Sequence, residues 1–290
     1  MGIIYFTGDC HGDYGKFCRY AFPQQKSLTR DDVVIVTGDF GIWEDSRSER
    51  YRLDELSNRS FTTLFVDGNH ECYDRLCSEA YKKYMRGEEY TDEDQGEFPL
   101  VDIYGGKAQK IRDGVYHLLR GEIYTINGKK ILAFGGAASH DIQEGILDRD
   151  NYKSDEEFYQ AAYVWRKTKR FFRINHISWW KEEMPNDDEK RHAMEQLAKH
   201  DFKVDYVVTH CAPTSIHCLM GYDSPDDATN FLQEIANVTQ FDKWFFGHYH
   251  HDKNINMEFV LLYDSIMPVY DSERSRESAF GEIEEENEEI

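Results

Sequence analysis

Asp9-Cys10-His11, Gly38-Asp39, Gly68-Asn69-His70-Glu71, His210 and Gly247-His248-Tyr249-His250 gather carboxylate, amide and imidazole donors into five short clusters. Oxygen and nitrogen donors in such numbers are what a pair of divalent transition metals requires, and no thiolate set competes for the role. In Asp9-x-His11 and His248-x-His250 the spacing of two puts both side chains on one face of an extended segment, where they can share an ion. Either pair alone is weak, because polar residues at strand ends commonly just cap or solvate. The whole ordered set is what points to a dinuclear metal site. Gly38, Gly68 and Gly247 precede candidate ligands, and glycine permits the positive-φ turns that bring backbone close to an ion.

These clusters trail apolar runs at residues 3–7, 33–37, 62–67, 206–209 and 244–246, which read as buried strands. In the first third the runs alternate with helical stretches near residues 14–21, 47–59 and 73–84. Such alternation produces parallel strands with helical crossovers, and open α/β sheets collect ligands at their carboxyl edge. Residues 92–96 read as a polar loop. Residues 115–119, 122–126 and 130–134 then read as antiparallel strands, with Asn127-Gly128 as a two-residue hairpin turn. Residues 155–172 and 187–200 have helical spacing, the strand and helix rhythm resumes at 205–209, 226–236 and 243–246, and strands at 259–262 and 266–270 close the fold.

With 290 residues and no linker-like stretch, one domain is expected over residues 1–273, followed by an acidic tail at 274–290. Residues 277–289 carry seven Glu and little that is apolar, so the tail is expected to be disordered. A net charge of −21 argues against a stable nucleic-acid partner. No apolar run is long enough to span a membrane and no signal peptide is evident, so a soluble, cytoplasmic protein is expected. The cysteines Cys10, Cys18, Cys72, Cys77, Cys211 and Cys218 include no Cys-x-x-Cys pair and are expected to be reduced; Cys10, Cys72 and Cys211 read as buried fillers rather than ligands. Oligomeric state is not readable.

The order Asp-x-His-Gly, Gly-Asp, Gly-Asn-His-Glu, His, Gly-His-x-His over residues 8–250 resembles the calcineurin-like metallophosphoesterase superfamily. The resemblance implies a mixed α/β fold, two packed mixed β-sheets flanked by helices in an αββα sandwich. It also implies that Asp9, His11 and His250 hold one metal, that Asn69, His210 and His248 hold the other, and that Asp39 bridges them. His70 would be the catalytic acid beside the leaving group. The expected cofactors are two divalent ions (Mn, Fe, Zn or Co, with Mn favoured), and the expected reaction is hydrolysis of a phosphate mono- or diester by in-line attack of a metal-bridging hydroxide. A protein phosphatase or nucleotide phosphohydrolase of the same superfamily is the alternative, and a non-catalytic scaffold is the rival of another class.

Protein Ser/Thr phosphatases of this superfamily continue the second motif as Gly-Asp-x-Val-Asp-Arg-Gly, whereas this chain reads Gly38-Asp39-Phe40-Gly41-Ile42-Trp43-Glu44-Asp45. Ile42 stands where the Asp that supports the catalytic His would be, and Trp43 where the phosphate-binding Arg would be. Glu44 or Asp45 is expected to orient His70 instead. Arg149, Arg112 and Arg75 are candidates for the missing clamp, Arg149 foremost, and the loop beginning Gly135-Gly136 is expected to bring His140 to the substrate. Trp179-Trp180 could wall the site or pack in the core. His217 and His251 are excluded from the metal shell.

Overall fold

A computed structural model describes residues 2–269; the expected acidic tail, the boundary at residue 273 and Tyr270 lie outside the described residues. The elements run β1 (Ile4–Thr7), β2 (Val33–Val36), α1 (Arg47–Ser57), β3 (Thr62–Phe65), α2 (Tyr73–Leu76), α3 (Glu79–Arg86), β4 (Leu100–Ile103), β5 (Gly106–Arg112), β6 (Val115–Leu118), β7 (Ile123–Ile126) and β8 (Lys129–Phe134). They continue with β9 (Gly145–Leu147), α4 (Asp155–Lys167), β10 (Phe172–Ile174), α5 (Asp187–Lys199), β11 (Tyr206–Thr209), α6 (Thr214–Leu219), α7 (Asp227–Val238), β12 (Lys243–Phe246), β13 (Lys253–Asn254), β14 (Phe259–Leu261) and β15 (Ile266–Val269). Sheet one has the order β15-β1-β2-β3-β6-β5-β4 and sheet two the order β13-β14-β12-β11-β8-β7.

The strands that feed the clusters are buried along their whole length, apart from the partly exposed Lys243 that opens β12. Continuous apolar runs of this kind suit parallel strands covered on both faces, and β1, β2, β3 and β6 are parallel, as are β8, β11, β12 and β14. The sheets pack face to face. Ile4, Phe6, Val33, Ile35 and Leu64 of one meet Ile131, Tyr206, Val208 and Phe245 of the other, and the rings of Phe6 and Phe245 stack at 3.9 Å. Outside sheet one, Leu53 and Leu56 of α1 join Phe17, Phe22 and Phe61; outside sheet two, α5 and α7 contribute Ala193, Leu197, Phe231, Leu232 and Ile235. Two packed mixed sheets with helices outside make the expected αββα sandwich.

Local departures from expectation have local causes. Instead of a helix over residues 14–21, the chain makes short 3-10 turns at Gly15–Phe17 and Pro23–Ser27, because Gly15 is a poor helix former and Pro23 cannot sit in a helix interior. The stretch 73–84 breaks after Leu76, where Ser78 accepts a hydrogen bond from the Tyr81 amide and starts a new helix. Within residues 92–96 lies a single 3-10 turn, Asp92–Asp94. β6 does not join the β7–β8 hairpin: it pairs with β3 and β5 in sheet one, and the chain crosses to sheet two at Arg120-Gly121, where Gly121 has φ +85°.

The helix expected over residues 155–172 stops at Lys167. Lys169 turns the chain at φ 54°, and Phe172–Ile174 becomes a strand parallel to β9. β9, α4 and β10 form an insertion between β8 and α5, with its own small core of Leu147, Phe158 and Ala162. Among the described residues no helix is long and apolar enough to cross a membrane. The six cysteines are free, Cys10 and Cys211 are buried, and burial pushes the Cys10 thiol up to about 12.

Candidate metal centre

Every cluster leaves the carboxyl end of a strand. Asp9 and His11 follow β1, Asp39 follows β2 and Asn69 and His70 follow β3 in sheet one; His210 follows β11, and His248 and His250 follow β12 in sheet two. The loops are tightly wound. His11, Asp39, His248 and His250 have φ of 49°, 46°, 70° and 52°, a region that non-glycine residues enter rarely and at a cost of roughly 1–3 kcal/mol each. The Asp39 carbonyl accepts from the amides of Cys10 and His11 at 2.9 and 2.7 Å, which ties the first two loops together. Glu71 fixes the segment after Asp39, its buried carboxylate accepting from the amides of Phe40, Gly41 and Ile42 at 2.7 to 3.2 Å.

Ligand atoms of Asp9, His11, Asp39 and His250 lie within 4.8 Å of one another. His11 Nε2 and His250 Nε2 are 3.2 Å apart, and Asp9 Oδ2 is 3.2 Å from His250 Nε2 and 3.8 Å from His11 Nε2. Asp9 Oδ2 is buried and makes no hydrogen bond of good geometry, its close polar neighbours being the His250 and His11 nitrogens, an arrangement that a cation would relieve. A buried orphan oxygen facing two imidazole nitrogens fits a divalent ion of borderline hardness. Asp39 reaches both halves of the centre, with Oδ2 3.7 Å from His11 Nδ1 and Oδ1 3.2 Å from His210 Nε2. In the second half Asn69 Oδ1 stands 3.3 Å from His210 Nε2, and the His248 ring packs against His210 with centroids 4.9 Å apart.

The electrostatics differ from ring to ring. Burial drives His248 well below its ordinary value and lowers His11, although Asp39 and Asp9 oppose the shift on His11. Burial also opposes charge on His210, but the Asp39 carboxylate outweighs it and holds the ring up at about 9. His250 is raised by its contact with Asp9.

At the open edge His70 packs against His11 and Trp43, with centroids 5.0 and 5.9 Å away. Neither Glu44 nor Asp45 orients it: Asp45 pairs with Arg50 and Arg75, and Glu44 lines the neighbouring cleft. The group that meets His70 is Arg173, whose Nη2 lies 3.2 Å from His70 Nε2. Guanidinium only donates, so His70 Nε2 accepts and the ring is neutral. Burial, with the Arg173 charge adding to it and Asp39 opposing, holds His70 down at about 4.

Arg149 is bound to Asp155 and the Tyr152 carbonyl within the insertion, while Arg112 pairs with Asp54 and Arg75 with Glu49 and Glu97. His140 does reach the centre, its ring 5.8 Å from His248. The same loop supplies Ser139, whose hydroxyl accepts from Asn69 Nδ2 at 3.4 Å and donates to Glu183 at 2.7 Å, which turns the Asn69 carbonyl oxygen towards His210. Trp180 is buried and packs 6.2 Å from Trp43; both wall a cleft of about 820 Å³ that opens beside His11 and also meets His176 and Ile177. Ser139, Glu183 and Arg173 escape a reading by motif. For Arg173 a signal exists in Phe171-Phe172-Arg173-Ile174, whose aromatic and β-branched residues favour a strand over the end of a helix.

A comparison with curated proteins found no match. The sequence model of calcineurin-like phosphoesterases, a class of metal-dependent hydrolases, matches residues 3–252, a span that takes in every cluster described above. This chain belongs to the calcineurin-like phosphoesterase family.

Proposed function

We propose that this protein hydrolyses phosphate esters with two divalent ions, one held by Asp9, His11 and His250, the other by Asn69, His210 and His248, with Asp39 between them. The observation that carries the reading is the placement of Asp39, one carboxylate oxygen towards each half of the centre, next to the orphaned Asp9 Oδ2. Bound there, the ions would supply a nucleophile from water near neutral pH and offset charge on the phosphate.

The chain's own groups do the rest. Asp9 and Asp39 bring negative charge that favours cations, and the wound loops hold the imidazoles in place before anything binds. His70 and Arg173 face the side from which an ester would enter. His70 is neutral in the free protein, its Nε2 accepting from Arg173; a phosphate dianion that draws Arg173 Nη2 onto its own oxygens frees Nε2, reverses the local field and favours a proton there, which can pass to the departing oxygen.

The test is hydrolysis of p-nitrophenyl phosphate and bis-p-nitrophenyl phosphate by metal-stripped protein given back Mn, Fe, Zn or Mg. Asp39→Asn is expected to lose bound metal and activity together. His70→Gln is expected to keep its metal and to lose turnover mainly on alkyl esters, whose leaving groups need the proton. Full metal loading with no hydrolysis of either ester would instead favour a non-catalytic scaffold.

A further inference from the structure

We infer that Arg173 is a phosphate-contacting residue supplied by the insertion, and that it makes this centre selective for phosphate monoesters over diesters. The inference rests on the phosphoesterase reading above. Arg173 lies on β10, outside every metal-binding cluster. Its guanidinium is held from two sides: Nε donates to Asp141 at 2.8 and 2.9 Å, and Nη1 donates to the Ser178 carbonyl at 3.0 Å. Nη2 is aimed at the centre, where its partner is His70. A guanidinium fixed in this way loses little freedom on meeting an oxyanion, and its fork suits phosphate.

The other cations nearby are committed elsewhere. Arg75 is paired with Glu49 and Glu97, Arg52 donates to the Gly12 carbonyl, and Lys16 donates to the carbonyls of Gly8, Asp9 and Tyr263 behind the site.

A phosphate monoester carries three non-bridging oxygens and two negative charges, whereas a diester carries two and one. Whatever the centre takes from both, the oxygen and charge that a monoester adds are what a fixed guanidinium beside His70 can receive. In a diester that position holds a second alkoxy group, which brings no charge for the guanidinium to meet. Hydrolysis then breaks the bond from phosphorus to the leaving oxygen and forms one from phosphorus to the oxygen of water. The leaving oxygen takes a proton, and the products are an alcohol and inorganic phosphate. Asp141 is a positioning residue, acting through Arg173.

The experiment compares wild type, Arg173→Ala, Arg173→Lys and Asp141→Asn, all metal-loaded. It reads kcat/KM on p-nitrophenyl phosphate and on bis-p-nitrophenyl phosphate, metal content, and binding of inorganic phosphate by calorimetry. Wild type should prefer the monoester. In Arg173→Ala the monoester to diester ratio should fall by about 100-fold, the loss typical of one removed charge-stabilising donor, with weaker phosphate binding and unchanged metal content. Asp141→Asn should shift the ratio in the same direction by less, and Arg173→Lys should recover part of it. A wild-type preference for the diester, an equal loss on both esters, or unchanged phosphate affinity in Arg173→Ala would overturn the inference. Should neither ester turn over, the phosphoesterase reading fails while phosphate binding still decides the role of Arg173.

Discussion

His210 Nδ1 lies 2.8 Å from the Thr37 carbonyl, and Nε2 faces oxygens of Asp39 and Asn69, so without metal both ring nitrogens carry protons. An ion at Nε2 has to displace one of them. Metal binding at pH 7 is therefore expected to release a proton, with affinity climbing as pH rises towards about 9. Calorimetric titration in two buffers of different ionisation heat reads this directly; buffer-independent heats would contradict it. For the metal-free fold the sign is opposite. The raised His210 contributes stability that is fully present below its unfolded value and is lost as pH climbs through about 9. Steric demand at the same centre gives a second expectation. A Cβ on Gly68 would fall 2.1 Å from Asp39 Oδ1 and one on Gly247 2.2 Å from Asp9 Oδ1, so Gly68→Ala and Gly247→Ala should each lose bound metal. Gly87→Ala is the control, because nothing lies within 4 Å of its Cβ and only backbone strain follows. Metal content of the purified variants decides.

Between β6 and β7 the chain changes sheets through Arg120, which is 1% exposed and joins Asp67 at 2.9 Å, Glu189 of α5 at 2.9 Å and the Tyr73 hydroxyl at 2.9 Å. Asp67, held well below the usual carboxylate range by Arg120 and His117 against the pull of burial, directly precedes the Gly68-Asn69 loop. Arg120→Leu removes the guanidinium that two buried carboxylates share, leaving Asp67 to His117 and the Tyr73 hydroxyl and Glu189 to the Tyr81 hydroxyl, which costs about 3–5 kcal/mol and should lower Tm by about 10 °C. A change within the error of thermal unfolding would show the network to be dispensable.

That network was not legible in the sequence, because its members are far apart in the chain and a lone buried Arg looks like any other Arg. What was legible has period and order. The Val33–Val36 type of run shows as a strand without help from tertiary contacts, and Asp-x-His followed by Gly-Asp shows as a strand-end cluster. β4 and β5 were missed because their turn is Tyr104-Gly105 rather than Asn-Gly, although Tyr104 takes φ 53°. The single helix expected over residues 155–172 hid β10, and with it Arg173. The polar residues that meet His70 are set by the path of the insertion, not by any motif around His70.

At the scale of the whole molecule, one cluster of side chains fills the space between the sheets, whereas the insertion rests on its own small core. The two sheets should therefore unfold together, and α4 should open first. Hydrogen exchange is expected to be fastest in α4 and slowest in β1, β2 and β11; amides of α4 as protected as those of β11 would refute the division. The candidate ligands are shared between the sheets: Asp9, His11, Asp39 and Asn69 ride on one, His210, His248 and His250 on the other. Ions held among them would act as a rivet through the sandwich. By linkage, free metal at 100 times its Kd adds about 2.7 kcal/mol to the folded state. A cell short of that metal would then hold not only unloaded protein but fewer copies of it, since the unloaded chain spends more of its time open to proteases.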